Sequence, residues 1–188
     1  MALKEKSKVY QSWKDEYKSK LRSAEDLAAM IKSGDVILEP GGINIPHEFH
    51  VALSKQVHEL NDVTVCLGLA LKLYDFMQPQ YKQNIHIETP FVGPVERMLI
   101  EWGTASYIPQ HLNQLGIWQT RKKPNVAAMV VTPPDENGFF NRSCFGGLVP
   151  RDAIAEADVV MVEVNSKTPW LEGEDLRIHI SEIDYICE

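Results

Sequence analysis

The sequence predicts an α/β fold with a mainly parallel β-sheet flanked by helices. Two almost continuously apolar runs, Val126–Val131 and Val159–Val164, are typical of strands that helices cover on both faces. Segments with β-type patterns alternate along the chain with segments of helical period, which is the order expected for parallel strands joined by helices. We therefore expect a single domain over residues 1–188, in which residues 1–22 form a helical appendage.

The N-terminal quarter of the chain carries two helix patterns. Apolar residues at a four-residue spacing predict a first helix, and they are Val9, Trp13, Tyr17 and Leu21. Ser23 with Asp26 three residues later predicts a capping box that begins a second helix. The pair Ser33–Gly34 is a typical helix end, so this second helix is expected to stop there.

The middle of the chain alternates between the two periods. Short apolar runs predict three strands, Val36–Leu38, Val63–Leu67 and Ile85–Ile87. Helical spacing lies between and after them, through Phe49, Leu53, Val57 and Leu60, and from Gly93–Pro94 to Ile100. Pro109 is expected in the first turn of a further short helix that runs through Leu115. Residues 67–83 fit neither period.

Composition excludes several classes of protein. The chain is 44% apolar and 24% charged, as in ordinary globular proteins, and it lacks the run of about 18 apolar residues that a membrane-spanning helix needs. Its charged N-terminus does not resemble a signal peptide. The net charge of −7 argues against nucleic acid as a partner. The three widely spaced cysteines match no disulfide framework or zinc site, so we expect a cytoplasmic protein without a metal.

Three loops leave the carboxyl ends of predicted strands, where parallel sheets bind ligands. They are Glu39–Pro46, Thr132–Gly147 and Asn165–Gly173. In the first loop, Gly41 and Gly42 allow a ligand to approach the backbone closely, but they equally suit a turn that needs positive φ. The residues alone leave both interpretations open. The loop matches neither GxGxxG nor a P-loop, so it is not expected to hold a nucleotide phosphate.

Four side chains near the later loops have a chemical and a structural interpretation. Asp135 precedes Asn-Gly and is expected to cap its own turn. Ser143 and Cys144 suggest a nucleophile, yet they lack a GxSxG elbow, and Cys144 is more simply a small apolar residue. Glu163 lies within a predicted buried strand, where a carboxylate needs a partner or a raised pKa.

Three segments of the last third resemble the N-terminal domain of the acetyl-CoA hydrolase/transferase family. They are TPPDENGFF at Thr132–Phe140, VVMVEVN at Val159–Asn165 and IHISEIDY at Ile178–Tyr185. That family includes acetate, butyrate and 4-hydroxybutyrate CoA-transferases. The resemblance implies a CoA-transferase-like fold of the NagB/RpiA type. It also implies transfer of CoA between a short-chain acyl-CoA and a carboxylate, with coenzyme A as a substrate and no permanently bound cofactor.

The resemblance also implies roles for individual residues. In this family a glycine-rich loop approaches the thioester and supplies an oxyanion-hole amide, and the matching residues are Gly41, Gly42, Ile43, Asn44 and Pro46. Expected contacts at the acyl or CoA edge are Asp135, Gly138, Glu163 and Asn165. The family's nucleophile is a glutamate of a C-terminal domain, which forms a glutamyl-CoA thioester, so no catalytic residue is assigned within this chain. The chain departs from the family pattern at residues 141–144.

Several functions remain open at this stage. The chain is expected to be the N-terminal half of a CoA-transferase that lacks its C-terminal domain or partner chain, is inactive alone and forms a homo-oligomer. The alternatives are an acyl-CoA hydrolase of the same family, a stand-alone α-type subunit, or a non-catalytic acyl-CoA-binding module. An exposed apolar patch facing the missing domain would favour an incomplete enzyme over a binding module.

Overall fold

A seven-stranded parallel sheet forms the centre of the molecule. The computed structural model describes residues 10–173 and 175–188. Its strands are β1 Val36–Gly41, β2 Val63–Gly68, β3 Ile85–Thr89, β4 Ala105–Tyr107, β5 Val126–Val131, β6 Phe139–Asn141, β7 Val159–Val164, β8 Arg177–His179 and β9 Tyr185–Cys187. The sheet has the order β4-β3-β2-β1-β5-β7-β9, and β6 and β8 form a separate antiparallel pair. The predicted α/β fold is therefore confirmed.

Helices cover both faces of this sheet. They are α1 Trp13–Lys20, α2 Ala24–Ala28, α3 His47–Gln56, α4 Pro94–Trp102, α5 Leu115–Arg121, α6 Ser143–Gly146 and α7 Arg151–Glu156. Buried side chains form two clusters, one containing Ile37 and the other Leu38. Because successive residues of a strand point to opposite faces, the two clusters are the two sides of one sheet. Strands covered on both faces explain why β5 is apolar throughout.

The strand order reverses direction next to β1, which places the candidate site. The chain moves outward from β1 through β2 and β3 to β4, then returns to β5 on the opposite side of β1. The loops after β1 and β5 leave the sheet at this switch point, on the carboxyl edge where the parallel strands end. In open α/β sheets this is where ligands bind.

For the N-terminal helices, the predicted first residues agree with the structure better than the predicted last residues do. Ser23 and Asp26 form the predicted capping box, because each side chain accepts a hydrogen bond from the other residue's backbone N–H. The helix then ends at Ala28, earlier than Ser33–Gly34. Helix α1 packs on the antiparallel β6–β8 pair through Tyr17, whose ring stacks on Phe140 at 6.1 Å. Val9, the first residue of the predicted stripe, lies outside the described residues.

The predicted position of Pro109 is wrong. The chain remains extended beyond β4 because the Ile108 N–H donates to Thr89 O at 2.9 Å. A 3₁₀ turn then covers Leu112–Gln114, and α5 begins only at Leu115. Near the C-terminus, a 3₁₀ turn at Ile180–Glu182 separates strand β8 from strand β9. Within the described residues no helix is long and apolar enough to cross a membrane.

Candidate active site at the carboxyl edge of the sheet

The loop after β1 is a tight turn that requires both of its glycines. A Cβ on Gly41 would overlap the Gly68 carbonyl of the neighbouring strand, because the two backbones approach closely at this point. Gly42 has φ of +55°, and a Cβ there would lie 2.6 Å from the Phe145 ring. The Gly42 N–H donates to Leu69 O at 3.0 Å, which fixes the turn against the loop after β2.

Ile43 carries the backbone amide that this turn leaves free. A 3₁₀ turn spans Gly42–Asn44, and the first amides of such a turn have no acceptor within it. The Gly42 amide is paired with Leu69, whereas the Ile43 N–H has no hydrogen-bond acceptor among residues 10–173 and 175–188. Asn44 is buried, while 45% of Ile43 is exposed. The turn therefore leaves the Ile43 N–H unpaired at the carboxyl edge, in a residue that is itself partly exposed.

Asn44 joins the loop after β1 to the loop after β5. Its fully buried amide nitrogen donates to Val130 O at 2.8 Å and to Arg142 O at 2.9 Å. Its amide oxygen accepts a hydrogen bond from the Phe145 N–H at 2.9 Å. Since all three partners are backbone groups of β5 or the segment beyond it, Asn44 holds two of the predicted ligand loops together. Its role is structural.

Arg142 was not singled out by the sequence, yet it is the largest fully buried side chain of the described residues. Its guanidinium donates to the carbonyls of Asp175, Gly146 and Val149, so backbone oxygens alone satisfy it. Burial, followed by the nearby positive charge of Arg151, lowers the pKa of Arg142 to about 10. The side chain stays charged at neutral pH and holds α6 against the segment before β8.

Ser143 and Cys144 are not arranged as a nucleophile with a base. The Ser143 hydroxyl donates to Pro169 O at 2.8 Å, and its backbone has φ of +51°, a conformation rare outside glycine. Cys144 is exposed at the start of α6, and its sulfur lies 3.7 Å from the Ser143 hydroxyl. Burial raises the pKa of the Cys66 thiol to about 12, so Cys66 stays a neutral thiol at neutral pH.

Asp135 caps its own turn, as predicted from the Asn-Gly that follows it. Its carboxylate accepts hydrogen bonds from the N–H groups of Asn137 and Phe139, both at 2.9 Å. Gly138 has φ of +83°, and a Cβ there would lie 2.9 Å from Trp13. Both residues therefore shape the turn under α1. Neither of them lines the cavity described below.

Glu163 holds the beginning of α3, the helix that follows the loop after β1. This loop, residues 41–46, is called the glycine loop below. Its carboxylate accepts hydrogen bonds from the N–H groups of Glu48 at 2.9 Å and Phe49 at 3.3 Å. These are free amides of the first helical turn, where a negative charge is favoured. Burial nevertheless raises the pKa of Glu163, and the two backbone hydrogen bonds oppose that effect only in part. Glu163 thus fixes the end of the loop at Pro46.

Asn165 closes the turn after β7. Its side-chain oxygen accepts a hydrogen bond from the Lys167 N–H at 2.9 Å, and its own N–H donates to Val131 O at 3.0 Å. Both contacts are internal to the carboxyl edge between β5 and β7. Of the predicted edge residues, Glu163 and Asn165 lie near the ends of strands at this edge, whereas Asp135 and Gly138 lie under α1.

A cavity of about 560 Å³ opens beside the glycine loop. Its walls come from the ends of β1 and β2, the segment before and within α5, and α6. They are mostly apolar and include Pro40, Leu67, Leu69, Phe91, Leu115, Trp118, Phe145 and Leu148. The Phe145 ring lies against Gly42 as well as against the cavity, so Phe145 separates the turn at Gly42–Asn44 from the cavity. This volume is within the range of about 300–1,000 Å³ that holds small organic ligands.

A buried acid–base pair lies at the inner end of the glycine loop. The carboxylate of Glu39 and the Nε2 atom of His50 are 2.7 Å apart, and both side chains are fully buried. The His50 ring meets Tyr74 and Phe76 edge-on, at 4.6 Å and 5.1 Å. Glu39 also lines the cavity, and its second oxygen has no hydrogen-bond partner among the described residues. Sequence reasoning missed this pair because the two residues belong to different elements.

Comparison with known proteins agrees with this geometry. The family model of the acetyl-CoA hydrolase/transferase N-terminal domain matches residues 2–188. The chain belongs to this family. It is 32% identical over 178 residues to the succinyl-CoA:cyclohexane-1-carboxylate CoA transferase of Geobacter metallireducens, covering 94% of this chain. It is 35% identical over 188 residues to the probable butyrate:acetyl-CoA coenzyme A-transferase of Syntrophomonas wolfei, covering 96% of this chain.

The fold also matches solved structures of longer proteins. RipA from Yersinia pestis superposes with a TM-score of 0.84 at 23% identity, over 94% of this chain and 44% of that chain. The chain spans about 40% of the length of the curated relatives that it matches, 40% of the Geobacter protein and 41% of the Syntrophomonas protein. The resemblance inferred from the last third of the sequence is therefore confirmed for the family and the fold.

Proposed function

We propose that this chain is the N-terminal domain of a CoA-transferase, which moves CoA between a short-chain acyl-CoA and a carboxylate. The observation that carries the proposal is the glycine turn, which leaves the Ile43 amide unpaired in a partly exposed residue and lies beside an apolar cavity. Family membership supports the reaction class, because the relatives are CoA-transferases. Acetate, butyrate and 4-hydroxybutyrate are the carboxylates we expect, and coenzyme A is a substrate.

The Ile43 N–H is our candidate for the oxyanion-hole donor. When a nucleophile attacks a thioester carbonyl, negative charge develops on the oxygen, and a positioned amide stabilises that charge by about 2.7–4 kcal/mol. Gly42 cannot serve, since its N–H is already paired with Leu69 O. Asn44 and Glu163 act as positioning residues, because they hold the two ends of the turn.

The nucleophile is expected outside this chain. The predicted edge residues include two carboxylates. Asp135 is engaged in capping its own turn. Glu163 is held by two helix amides and its pKa is raised, which suits a positioning group better than a nucleophile. We propose a glutamate in the remaining part of the protein, which would attack the acyl-CoA and form a glutamyl-CoA thioester. The chain alone would then bind substrate groups without turning them over.

The test combines the 188-residue chain with the C-terminal segment of the Syntrophomonas relative. Each is incubated with butyryl-CoA and acetate, alone and together, and then treated with borohydride before intact-mass analysis. We expect acetyl-CoA to form only in the mixture, with the reduced adduct on the added segment. An adduct on the 188-residue chain would contradict the proposal and would point to Glu163. Mixed components that never form acetyl-CoA would contradict it as well.

A further inference from the structure

The cavity beside the glycine loop contains polar atoms that no other group of the protein satisfies. Three of its lining residues carry a buried side-chain atom without a hydrogen-bond partner among the described residues: Glu39 Oε2, Gln119 Oε1 and Gln110 Nε2. Glu39 and Gln119 are 1% and 3% exposed. Buried polar groups are nearly always paired in folded proteins, so such atoms in one cavity indicate a bound polar group.

We infer that this cavity binds the acyl group, and that it selects acyl groups with an apolar body and a neutral hydroxyl over those that end in a carboxylate. The inference rests on the proposed function and specifies its substrate class. A hydroxyl donates one hydrogen bond and accepts others, so it can donate to Gln119 Oε1 and accept from Gln110 Nε2. An alkyl end would leave these atoms unpaired.

The remaining residues of the cavity wall are apolar, and they account for the apolar body of the inferred acyl group. Pro40 and Phe145 line it beside the glycine turn, while Leu115 and Trp118 line it on the side of α5 that carries Gln119. An acyl group in this cavity therefore packs mainly against apolar residues, while Gln110 and Gln119 present polar atoms to it. The burial of that apolar surface supplies the affinity, and the few polar atoms supply the selectivity.

Charge explains why a terminal carboxylate is excluded. Glu39 brings a carboxyl group to the cavity, and its first oxygen is already engaged by His50 at 2.7 Å. None of the described lining residues is a lysine or an arginine. A terminal carboxylate would be desolvated there with the His111 imidazole, and no lysine or arginine, among the lining side chains, which is unfavourable in a buried site. Succinyl-type groups are thus expected to bind worst.

The test measures dissociation constants of free acids in two matched series by ¹H–¹⁵N NMR titration of the 188-residue chain. One series is butyrate, 4-hydroxybutyrate and succinate, and the other is hexanoate, 6-hydroxyhexanoate and adipate. We expect the hydroxy acid of the better-fitting length to bind about three- to tenfold more tightly than the alkyl acid, as one added hydrogen bond allows. The diacid should bind most weakly.

Two variants assign the selectivity to the cavity. Gln119→Leu removes the acceptor at similar size, and it should reduce the preference for the hydroxy acid to about one while binding of the alkyl acid is kept or improved. Gln114→Leu changes an exposed glutamine in the 3₁₀ turn before α5 that does not line the cavity, and it should leave the preference unchanged.

Three outcomes would overturn the inference. They are equal binding of hydroxy and alkyl acids, a hydroxyl preference that survives Gln119→Leu, and the absence of shifts around the cavity with all six acids. The proposed function is judged separately, by acetyl-CoA formation from butyryl-CoA and acetate in the mixed components. A chain that supports this exchange but shows no hydroxyl preference would retain the proposed function and lose only the substrate class.

Discussion

At the scale of single residues, Gly42 is, like Gly138, a position where a positive φ and a lack of space for a side chain coincide. Its φ of +55° excludes most side chains, and the Phe145 ring occupies the space that a Cβ would need. Gly34 has φ of +85° but has no heavy atom within 4 Å of a Cβ position. A side chain at Gly34 would therefore meet backbone strain alone, whereas a side chain at Gly42 would meet both backbone strain and a steric clash. Only Gly42 combines the two in contact with the candidate oxyanion turn.

We predict that Gly42→Ala destabilises the chain more than Gly34→Ala does. Both substitutions would place an alanine in a left-handed conformation, which costs about 1–2 kcal/mol, and the new methyl group of Gly42→Ala must also displace the Phe145 ring. Urea unfolding of both variants measures the difference.

When the 188-residue chain is mixed with the C-terminal segment of the Syntrophomonas relative, Gly42→Val should abolish CoA exchange, whereas Gly34→Ala should retain it. Full exchange by Gly42→Val would contradict the assignment of the turn.

Glu163 gives a prediction for pH. Burial raises its pKa above the ordinary value of 4.5, so the folded chain keeps this proton at a pH where the unfolded chain has lost it. The free energy of unfolding that depends on Glu163 is therefore highest at low pH, and it falls as the pH rises from about 4.5 through the folded-state pKa. Glu163→Gln carries no such titration and should gain stability relative to the wild type over that interval.

Urea unfolding at several pH values checks this sign. The exposed residue Glu101 provides the control, since Glu101→Gln should follow the wild-type curve in parallel. If the stability curves of Glu163→Gln and the wild type are parallel from pH 4 to pH 7, burial does not dominate at this carboxylate. If the wild type instead gains stability over the variant as the pH rises, the helix amides outweigh burial.

At the scale of elements, one buried amide connects the two loops of the site. We predict that Asn44→Ala lowers the free energy of unfolding by about 2–4 kcal/mol, because a buried group left without its partner costs about 1–3 kcal/mol. Three backbone groups lose their partner, Val130 O, Arg142 O and the Phe145 N–H. The Phe145 amide should also exchange its hydrogen faster.

Hydrogen exchange separates this local effect from a general loss of stability. The control is Asn113→Ala at an exposed residue, which should change neither the unfolding free energy nor the exchange of Phe145. An Asn44→Ala variant in which Phe145 remains protected would show that the two loops hold each other without this side chain.

Elements defined by local pattern could be predicted, and contacts between distant elements could not. The apolar runs of β5 and β7 predict strands correctly because burial on both faces leaves no other pattern. The contact of Glu163 with the start of α3 joins residues 115 positions apart, so no spacing in the sequence reveals it. The cavity likewise depends on Gln119, whose burial follows from the packing of α5 and not from its neighbours in sequence.

At the scale of the whole molecule, the carboxyl edge carries exposed apolar side chains. One follows each of the strands β1 to β4, and 45–74% of each is exposed: Ile43, Leu71, Phe91 and Leu112. Exposed apolar groups that lie together are typical of interaction surfaces. We expect the remaining part of the longer relatives to pack on this edge, as in the proposed incomplete enzyme, whereas a self-contained binding module would not need such a surface.

The last prediction follows from that surface. Leu71 is 62% exposed and lies outside the cavity, so Leu71→Asp should weaken binding of the C-terminal segment of the Syntrophomonas relative at least tenfold while the chain stays folded. A buried leucine contributes about 1.5–3 kcal/mol, and about 1.4 kcal/mol corresponds to a factor of ten. Ile117→Asp, on the exposed side of α5 and 54% exposed, is the matched control and should leave binding unchanged. Sedimentation velocity of the mixed components measures both. Equal weakening by the two variants, or none by Leu71→Asp, would mean that the carboxyl edge is not the contact surface.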